Sequence, residues 1–414
     1  MDKISKKIIY ILLLSVLLII SLYFNINQII NNQYEKENNQ NSSILFFIIQ
    51  LILTFIFLYN NIILFFTSKN KVKNYLFKYW NLKSDSLKNI IKYVSEVTSQ
   101  NNTNFIPQED RIAVFDFDGT IYGEKGPLYI EYYMYYDFLK NNPTFLEIEP
   151  HKSIFPRLEQ SCRAKKLIDF ELDYEALVCE AKIYKGYTME DYSNFVNKFA
   201  EKNAKCFTNL KFKDMFYLPM IELIEYLQLN NFIVYVVSAT DRFLIREYLK
   251  FHCKIPEQNV IATDAELMPK SEEENFNRTG KIYEYLNFNK DDYLIRNGNL
   301  IKKNVQLSKV RMVAREIGKK PVLSFGNSNS DVPLQNYILN NNKYKAEAYM
   351  VVADDIKREY GVDKYDINGN LDTSVSDKIK NKWKSKEYGY KIISMRDDFK
   401  TIYGDNVTLT EYEE

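Results

Sequence analysis

Apolar and polar positions along this chain fall into three patterns, and each predicts a different kind of element. Residues 8–24 and 44–59 are nearly unbroken apolar runs, interrupted only by Ser and Tyr in the first and by Gln50 and Thr54 in the second, and apolar residues resume at Ile62–Phe66. Each run is long enough to cross a bilayer, so the pattern predicts a two-helix membrane hairpin over residues 1–67. Further on, short apolar runs at Ile112–Phe117, Asn231–Ser238, Pro321–Phe325 and Tyr349–Ala353 have the length of fully buried strands in a parallel sheet. Helical spacing fills the intervals. Leu87, Ile90, Ile91, Val94 and Val97 make one stripe, with Ser84 placed to cap it, and Val310, Val313, Ala314 and Ile317 make another.

Strands alternating with helices predict a doubly wound α/β core with a mostly parallel sheet. The expected layout is a core at 109–121 and 231–414, a helical cap at 122–230, and a linker with a lead-in helix at 68–108. The polar stretch SQNNTNFIPQED closes that linker before the first core strand.

Asp116 and Asp118 carry the strongest chemical signal, in the stretch RIAVFDFDGTIYG. Residues i and i+2 of an extended chain share a face, so both carboxylates project together at the carboxyl end of the first strand, where open α/β sheets bind ligands. Crowded carboxylates repel unless a cation lies between them or one holds a proton. The pair therefore suits a metal-dependent nucleophile, Asp116, beside a general acid and base, Asp118. The plainer alternative is a strand ending in a solvated Asp-x-Asp turn.

Three segments follow in order. The second strand ends at Ser238. Lys309 falls in the first turn of a helix, where its charge opposes the helix dipole and calls for a local anion such as a phosphate. The third strand feeds the loop Gly326-Asn-Ser-Asn-Ser-Asp331. This order resembles the four motifs of the haloacid dehalogenase superfamily of aspartate-nucleophile phosphohydrolases. The stretches FIPQEDRIAVFDFDGT, VIATDAELMP followed by RTGK, and REIGKKPVLSFGNSNSD are similar to its phosphoserine-phosphatase-like and acid-phosphatase-like branch. The similarity runs from about Ser84 to the C-terminus. It implies an aspartyl-phosphate on Asp116, proton transfer by Asp118, and phosphate contacts from Ser238 and Lys309, with Thr120 fixing the motif loop beside the phosphate. It also implies Mg²⁺ held by the Asp116 carboxylate, the Asp118 carbonyl and Asn327, with Asp331 orienting a metal-bound water. Asn327 departs from the Asp common in the family; an amide oxygen ligates Mg²⁺ with less charge. A glutamate near Glu124 contacts substrate in phosphoserine phosphatases, which makes Glu124 a candidate for a positively charged substrate group, with a solvated flap residue as the alternative.

Composition narrows the choice. Lys and Arg total 55 against 54 Asp and Glu, so no basic excess marks a nucleic-acid partner. Cys162, Cys179, Cys206 and Cys253 lie far apart, and His151 and His252 have no ligand-like neighbours, which disfavours thiolate metal sites, zinc enzymes and Ser-His hydrolases. Lys302, Lys303, Lys319 and Lys320 read as solvated charge. The aromatic run Tyr129–Phe138 reads as the packed face of a cap helix, with a cation–π cage as the alternative. Lys3, Lys6 and Lys7 precede the first apolar run, Lys36 lies between the two, and Lys69, Lys71, Lys73 and Lys78 follow the second. The positive-inside rule then puts the catalytic part in the cytoplasm; an exported domain behind a signal peptide is the alternative. The expected activity is Mg²⁺-dependent hydrolysis of a small phosphoserine- or phosphocholine-like phosphomonoester at a lipid bilayer. A lipid-phosphate phosphatase, a phosphotransferase and a non-catalytic phosphate-binding protein are the rivals.

Overall fold

The computed structural model describes residues 75–164, 168–280 and 287–412, together with Leu53, Thr54 and Phe57. The expected membrane hairpin falls almost wholly outside these residues. Among the described residues no helix is long and apolar enough to cross a membrane. The multi-pass placement and the sidedness drawn from it are corrected accordingly.

From Tyr75 onward the chain forms one compact unit. Its first helix, α1 (Asp85–Thr98), starts where the apolar stripe predicts, and the Ser84 hydroxyl accepts from the Leu87 N–H. Leu87, Ile90, Val94 and Val97 are buried, while Ile91 of the same stripe stays exposed. The segment before it does not behave as a linker. Trp80 is buried and donates from Nε1 to the Pro219 carbonyl at 2.7 Å. The Glu222 carboxylate takes the Lys78 and Tyr79 N–H groups at 2.6 and 3.0 Å. An aromatic anchor and a buried acceptor for backbone donors override the polar, charged look of that stretch.

Strand β1 (Ile112–Phe115) is followed by the cap helices α2 (Ile130–Asn141), α3 (His151–Ala164), α4 (Phe170–Ile183) and α5 (Met189–Ala200), then by α6 (Leu218–Leu229). Next come β2 (Ile233–Asp241), α7 (Arg242–His252), β3 (Val260–Pro269), α8 (Lys270–Thr279), β4 (Leu294–Lys302), α9 (Leu307–Ile317), β5 (Leu323–Gly326), α10 (Val332–Leu339) and β6 (Glu347–Val352). A small hairpin, β7 (Lys364–Tyr365) and β8 (Leu371–Asp372), precedes α11 (Ser374–Lys384), β9 (Lys391–Ser394) and α12 (Met395–Asp398). Although α6 lies in the interval expected for the cap, it packs on β2 as a crossover helix of the core.

The sheet runs β4-β3-β2-β1-β5-β6-β9, parallel except for the antiparallel β3–β4 pair at one edge. All four residues of β1 are buried because the sheet is covered on both faces. Ile112 and Val114 meet Val313 of α9 and Leu334 and Ile338 of α10 on one face. Ala113 and Phe115 face the larger core shared with α1, α6 and the cap. Phe115, Phe325 and Tyr349 stack across β1, β5 and β6 with ring centroids 4.4 and 5.2 Å apart. Truncating Phe115 to Ala should cost about 3–5 kcal/mol by the usual cost of large core deletions. Strand order runs outward from β1 through β2 and β3, then restarts on the other side at β5. The reversal between β1 and β5 is the topological switch point, where such sheets bind ligands.

Candidate active site

Asp116 and Asp118 leave β1 at this switch point. The Asp116 N–H still donates to the Phe325 carbonyl at 2.9 Å, so the first carboxylate is held in sheet geometry. Gly119 then turns the chain at φ +72°, a conformation that favours glycine. A Cβ at this position would also lie 1.9 Å from Asn327 Nδ2, so the glycine is required twice over.

Lys309, in the first turn of α9, is buried and donates from Nζ to Asp116 Oδ1 at 2.7 Å and Asp331 Oδ1 at 2.6 Å. Its first-turn position, unfavourable to the helix dipole, is offset by these two carboxylates. Asp331 Oδ2 accepts the Asn327 and Ser328 N–H groups, both at 3.1 Å, so this side chain shapes the loop after β5 with both oxygens engaged. Asn327 turns its amide N–H toward Glu124 Oε1 at 3.2 Å, and the Tyr129 hydroxyl reaches the same oxygen at 3.2 Å. Ser238 is buried, and its hydroxyl accepts the Thr240 N–H at 3.1 Å. The Thr240 hydroxyl in turn donates to Asp118 Oδ2 at 2.6 Å, while Asp118 Oδ1 is buried without a protein partner.

Burial pushes the Asp116 carboxyl upward, and the neighbouring Asp331 adds to this, against the pull of Lys309. Burial lowers the affinity of Lys309 for its proton, but Asp116 and Asp331 together outweigh it and hold the ammonium charged. Asp118 is pushed up to about 7 by burial, against the Thr240 hydrogen bond. Burial raises Glu124 as well. A carboxyl near 7 can give and take a proton at neutral pH.

These groups line one cavity of about 240 Å³ under the cap. Asp116, Asp118, Ser238, Lys309 and Asn327 face it from the core, and Glu124 and Tyr129 from the loop leading into the cap. Asp331 lies directly behind, touching Lys309. Thr120 is not brought to it: the side chain is fully buried behind the turn, and Oγ1 makes no hydrogen bond. Its loop is held instead by backbone bonds, including Thr120 N–H to the Phe117 carbonyl at 3.2 Å.

Several lining residues escaped the sequence reading. Thr240 could have been found, since it follows Ser238 by two and shares its strand face. Glu131, Tyr132, Asp173 and Lys303 line the far wall. Lys303 is not solvated surface charge; it is 14% exposed and pairs with Asp173. The aromatic run of α2 divides: Tyr133, Met134, Tyr135 and Tyr136 pack in the core, while Tyr129 and Tyr132 reach the cavity.

The donors for a metal are oxygens: the Asp116 carboxylate, the Asn327 amide and the backbone carbonyl of Asp118. Among the described residues no three His, Cys, Asp or Glu side chains form a metal group by themselves. The mixed oxygen set suits Mg²⁺, which takes one or two carboxylates and keeps several waters.

No family model matches the chain, and no curated relative matches it. Among solved structures it is similar to a functionally unknown protein from Anaerococcus prevotii DSM 20548, at 14% identity and TM-score 0.41, over 74% of this chain and 91% of that one. It is similar also to a phosphoserine phosphohydrolase-like protein from Francisella tularensis subsp. tularensis SCHU S4, at 16% identity and TM-score 0.32, over 59% of this chain and 88% of that one. A HAD family hydrolase from Salmonella enterica serovar Typhi matches at 11% identity and TM-score 0.32, over 58% and 62% of the two chains. These likenesses are distant, and the chemistry is carried by the side chains of this chain.

Proposed function

We propose that this protein is a Mg²⁺-dependent phosphomonoesterase acting through an aspartyl-phosphate on Asp116. The observation that carries the reading is the buried Lys309 ammonium bridging Asp116 and Asp331 at the cavity, with Asp118 held beside them by Thr240.

An Asp116 oxygen attacks phosphorus as the bond to the leaving oxygen breaks, and Asp118 gives that oxygen its proton. A water then loses a proton to the Asp118 carboxylate and attacks phosphorus. The bond to Asp116 breaks and inorganic phosphate departs. Lys309 and Ser238 neutralise and orient the phosphoryl oxygens, as phosphoryl transfer requires. Bound Mg²⁺, held by Asp116, Asn327 and the Asp118 carbonyl, would supply charge neutralisation at the phosphoryl group.

The wall supports a small substrate with a cationic group. Glu124, Glu131, Asp173 and Lys303 line it together with Tyr129 and Tyr132. Burial pushes Glu124 and Glu131 toward the neutral form, so their carboxyl groups gain from a neighbouring ammonium group, and the two aromatic rings favour one as well, as in amino-alcohol phosphates.

The test is phosphate release by the purified full chain from phosphocholine, phosphoethanolamine, phosphoserine, sugar phosphates and nucleoside monophosphates. Turnover of the amino-alcohol esters should need Mg²⁺ and stop with chelator. Silence across the whole panel in the presence of Mg²⁺ would overturn the proposal.

A further inference from the structure

One buried cation lies outside the reaction just described. Arg296, on β4, is 3% exposed, and its guanidinium carbon sits 4.1 Å from the Tyr192 ring centroid. Only one hydrogen bond to its guanidinium is formed, from Nη2 to Asp241 Oδ2 at 2.7 Å; Nε and Nη1 have no partner. Burying an arginine for a single bond is a poor way to gain stability. The contact that this bond fixes is therefore the informative part.

Asp241 is a junction. Its Oδ1 caps α7 by accepting the Phe243 and Leu244 N–H groups. Its own N–H donates to Glu131 Oε2 at 2.9 Å, joining it to cap helix α2. Its chain neighbour is Thr240, the residue whose hydroxyl holds Asp118. On the other side, β4 is stitched to the turn between α4 and α5: Gly186 N–H donates to the Arg296 carbonyl at 2.8 Å, and Arg296 N–H to the Tyr187 carbonyl at 2.9 Å. Thus β4, two parts of the cap and the end of β2 meet at one ion pair.

We infer that Arg296 is a positioning residue: it latches the cap and β4 onto Asp241 and so fixes Thr240 against Asp118. The inference deepens the phosphatase reading and rests on Asp118 as the proton donor. A loosened Asp118 should lower kcat/KM, which reports phosphorylation of Asp116, for esters whose leaving oxygen must be protonated and spare it for those whose leaving group departs as an anion; the later hydrolysis that Asp118 also serves is common to both. A merely structural arginine would slow both alike.

The experiment compares Arg296→Met with wild type on phosphocholine, phosphoethanolamine and phosphoserine, against p-nitrophenyl phosphate. The kcat/KM on the alkyl esters should fall at least tenfold more than on the aryl ester, and Arg296→Lys should recover part of the loss. Amide exchange at Gly186, Arg296 and Asp241 should accelerate tenfold or more while β1 and β5 stay protected. Should Arg296→Met not fold, Asp241→Asn keeps the helix cap and removes the charge, and the same leaving-group pattern is expected. Equal losses of kcat/KM on both ester classes, or unchanged exchange at those amides, would overturn the latch. If wild type turned over no ester, the phosphatase reading would fail, and the exchange measurement alone would decide on the latch.

Discussion

On the core side of the cavity Lys309 is 1% exposed and donates to two carboxylates, Asp116 and Asp331, whose side chains are 9% and 4% exposed. On the cap side Lys303 is 14% exposed and meets Asp173, which is 19% exposed. Both are lysine–aspartate contacts in one cavity, yet they differ in what surrounds them. The core-side cluster is almost wholly buried by strands and a helix start, so its three charges rely on one another far more than on water. The wall pair keeps partial hydration and belongs to a helix face and a strand end that meet only in the folded chain. The difference separates a fixed phosphate floor, where removing one charge should be severe, from an adjustable wall, where it should shift preference.

Removing the nucleophile is the most damaging test of the floor. Asp116→Asn is nearly isosteric and should lower kcat by at least about a thousandfold, as loss of a covalent nucleophile does, with the fold intact. Activity close to wild type, measured as phosphate release, would break the comparison at its centre.

Next comes Lys309→Met, which leaves Asp116 and Asp331 facing each other without a cation. Breaking a buried pair from one side costs about 3–5 kcal/mol, so denaturant unfolding should show a loss of that order together with lost turnover. A loss below about 1 kcal/mol would mean that the floor is no more sealed than the wall.

The floor was legible in the sequence for a physical reason. Its residues sit at strand ends, where a short apolar run followed by Asp, Ser or Gly-Asn marks the site, and the chain visits those ends in a fixed order. Lys309 was legible through helical spacing. The wall was not, because Glu131, Asp173 and Lys303 come from three separate elements and carry no local pattern that distinguishes them from solvated charge. Thr120 misled for the opposite reason: it belongs to a familiar motif, but the turn at Gly119 carries its side chain into the core. The packed segment around Trp80 was hidden by its lysines, since nothing local announces that Glu222 will accept its N–H groups. The division of the interval between β1 and β2, four helices for the cap and α6 for the core, depends on which strand α6 covers.

A buried carboxyl outside the cavity shows what burial does away from the phosphate floor. Glu359 is 2% exposed, accepts from the Tyr403 hydroxyl and the Tyr360 N–H, and is pushed up from 4.5 to about 7 by burial. The folded state thus holds the proton more tightly than the unfolded chain. Its contribution is fully present below about 4.5 and is lost as pH rises through about 7, a change on the order of 3 kcal/mol. Glu359→Gln should flatten that part of the stability–pH curve, and a slope unchanged between pH 5 and 7 would remove Glu359 as its source.

Lys303→Met should have the smallest effect on folding and the most selective effect on function. The Lys303 ammonium bonds Asp173 and also reaches the Tyr132 hydroxyl at 3.2 Å, but both members of the ion pair stay partly hydrated, so the stability loss should be below about 1 kcal/mol. Among the described residues it is the cation of that wall, which also carries Glu124, Glu131 and Asp173. Without it the wall becomes more negative, and at an effective dielectric near 20 a charge a few ångströms from a leaving group still changes binding by about a kcal/mol or more. The KM for phosphocholine should therefore fall or hold, while the KM for an anionic ester such as 3-phosphoglycerate should rise about fivefold or more, with kcat changed less in both. If the two KM values moved together, Lys303 would be a structural tie like any other, and the wall would no longer differ in kind from the floor.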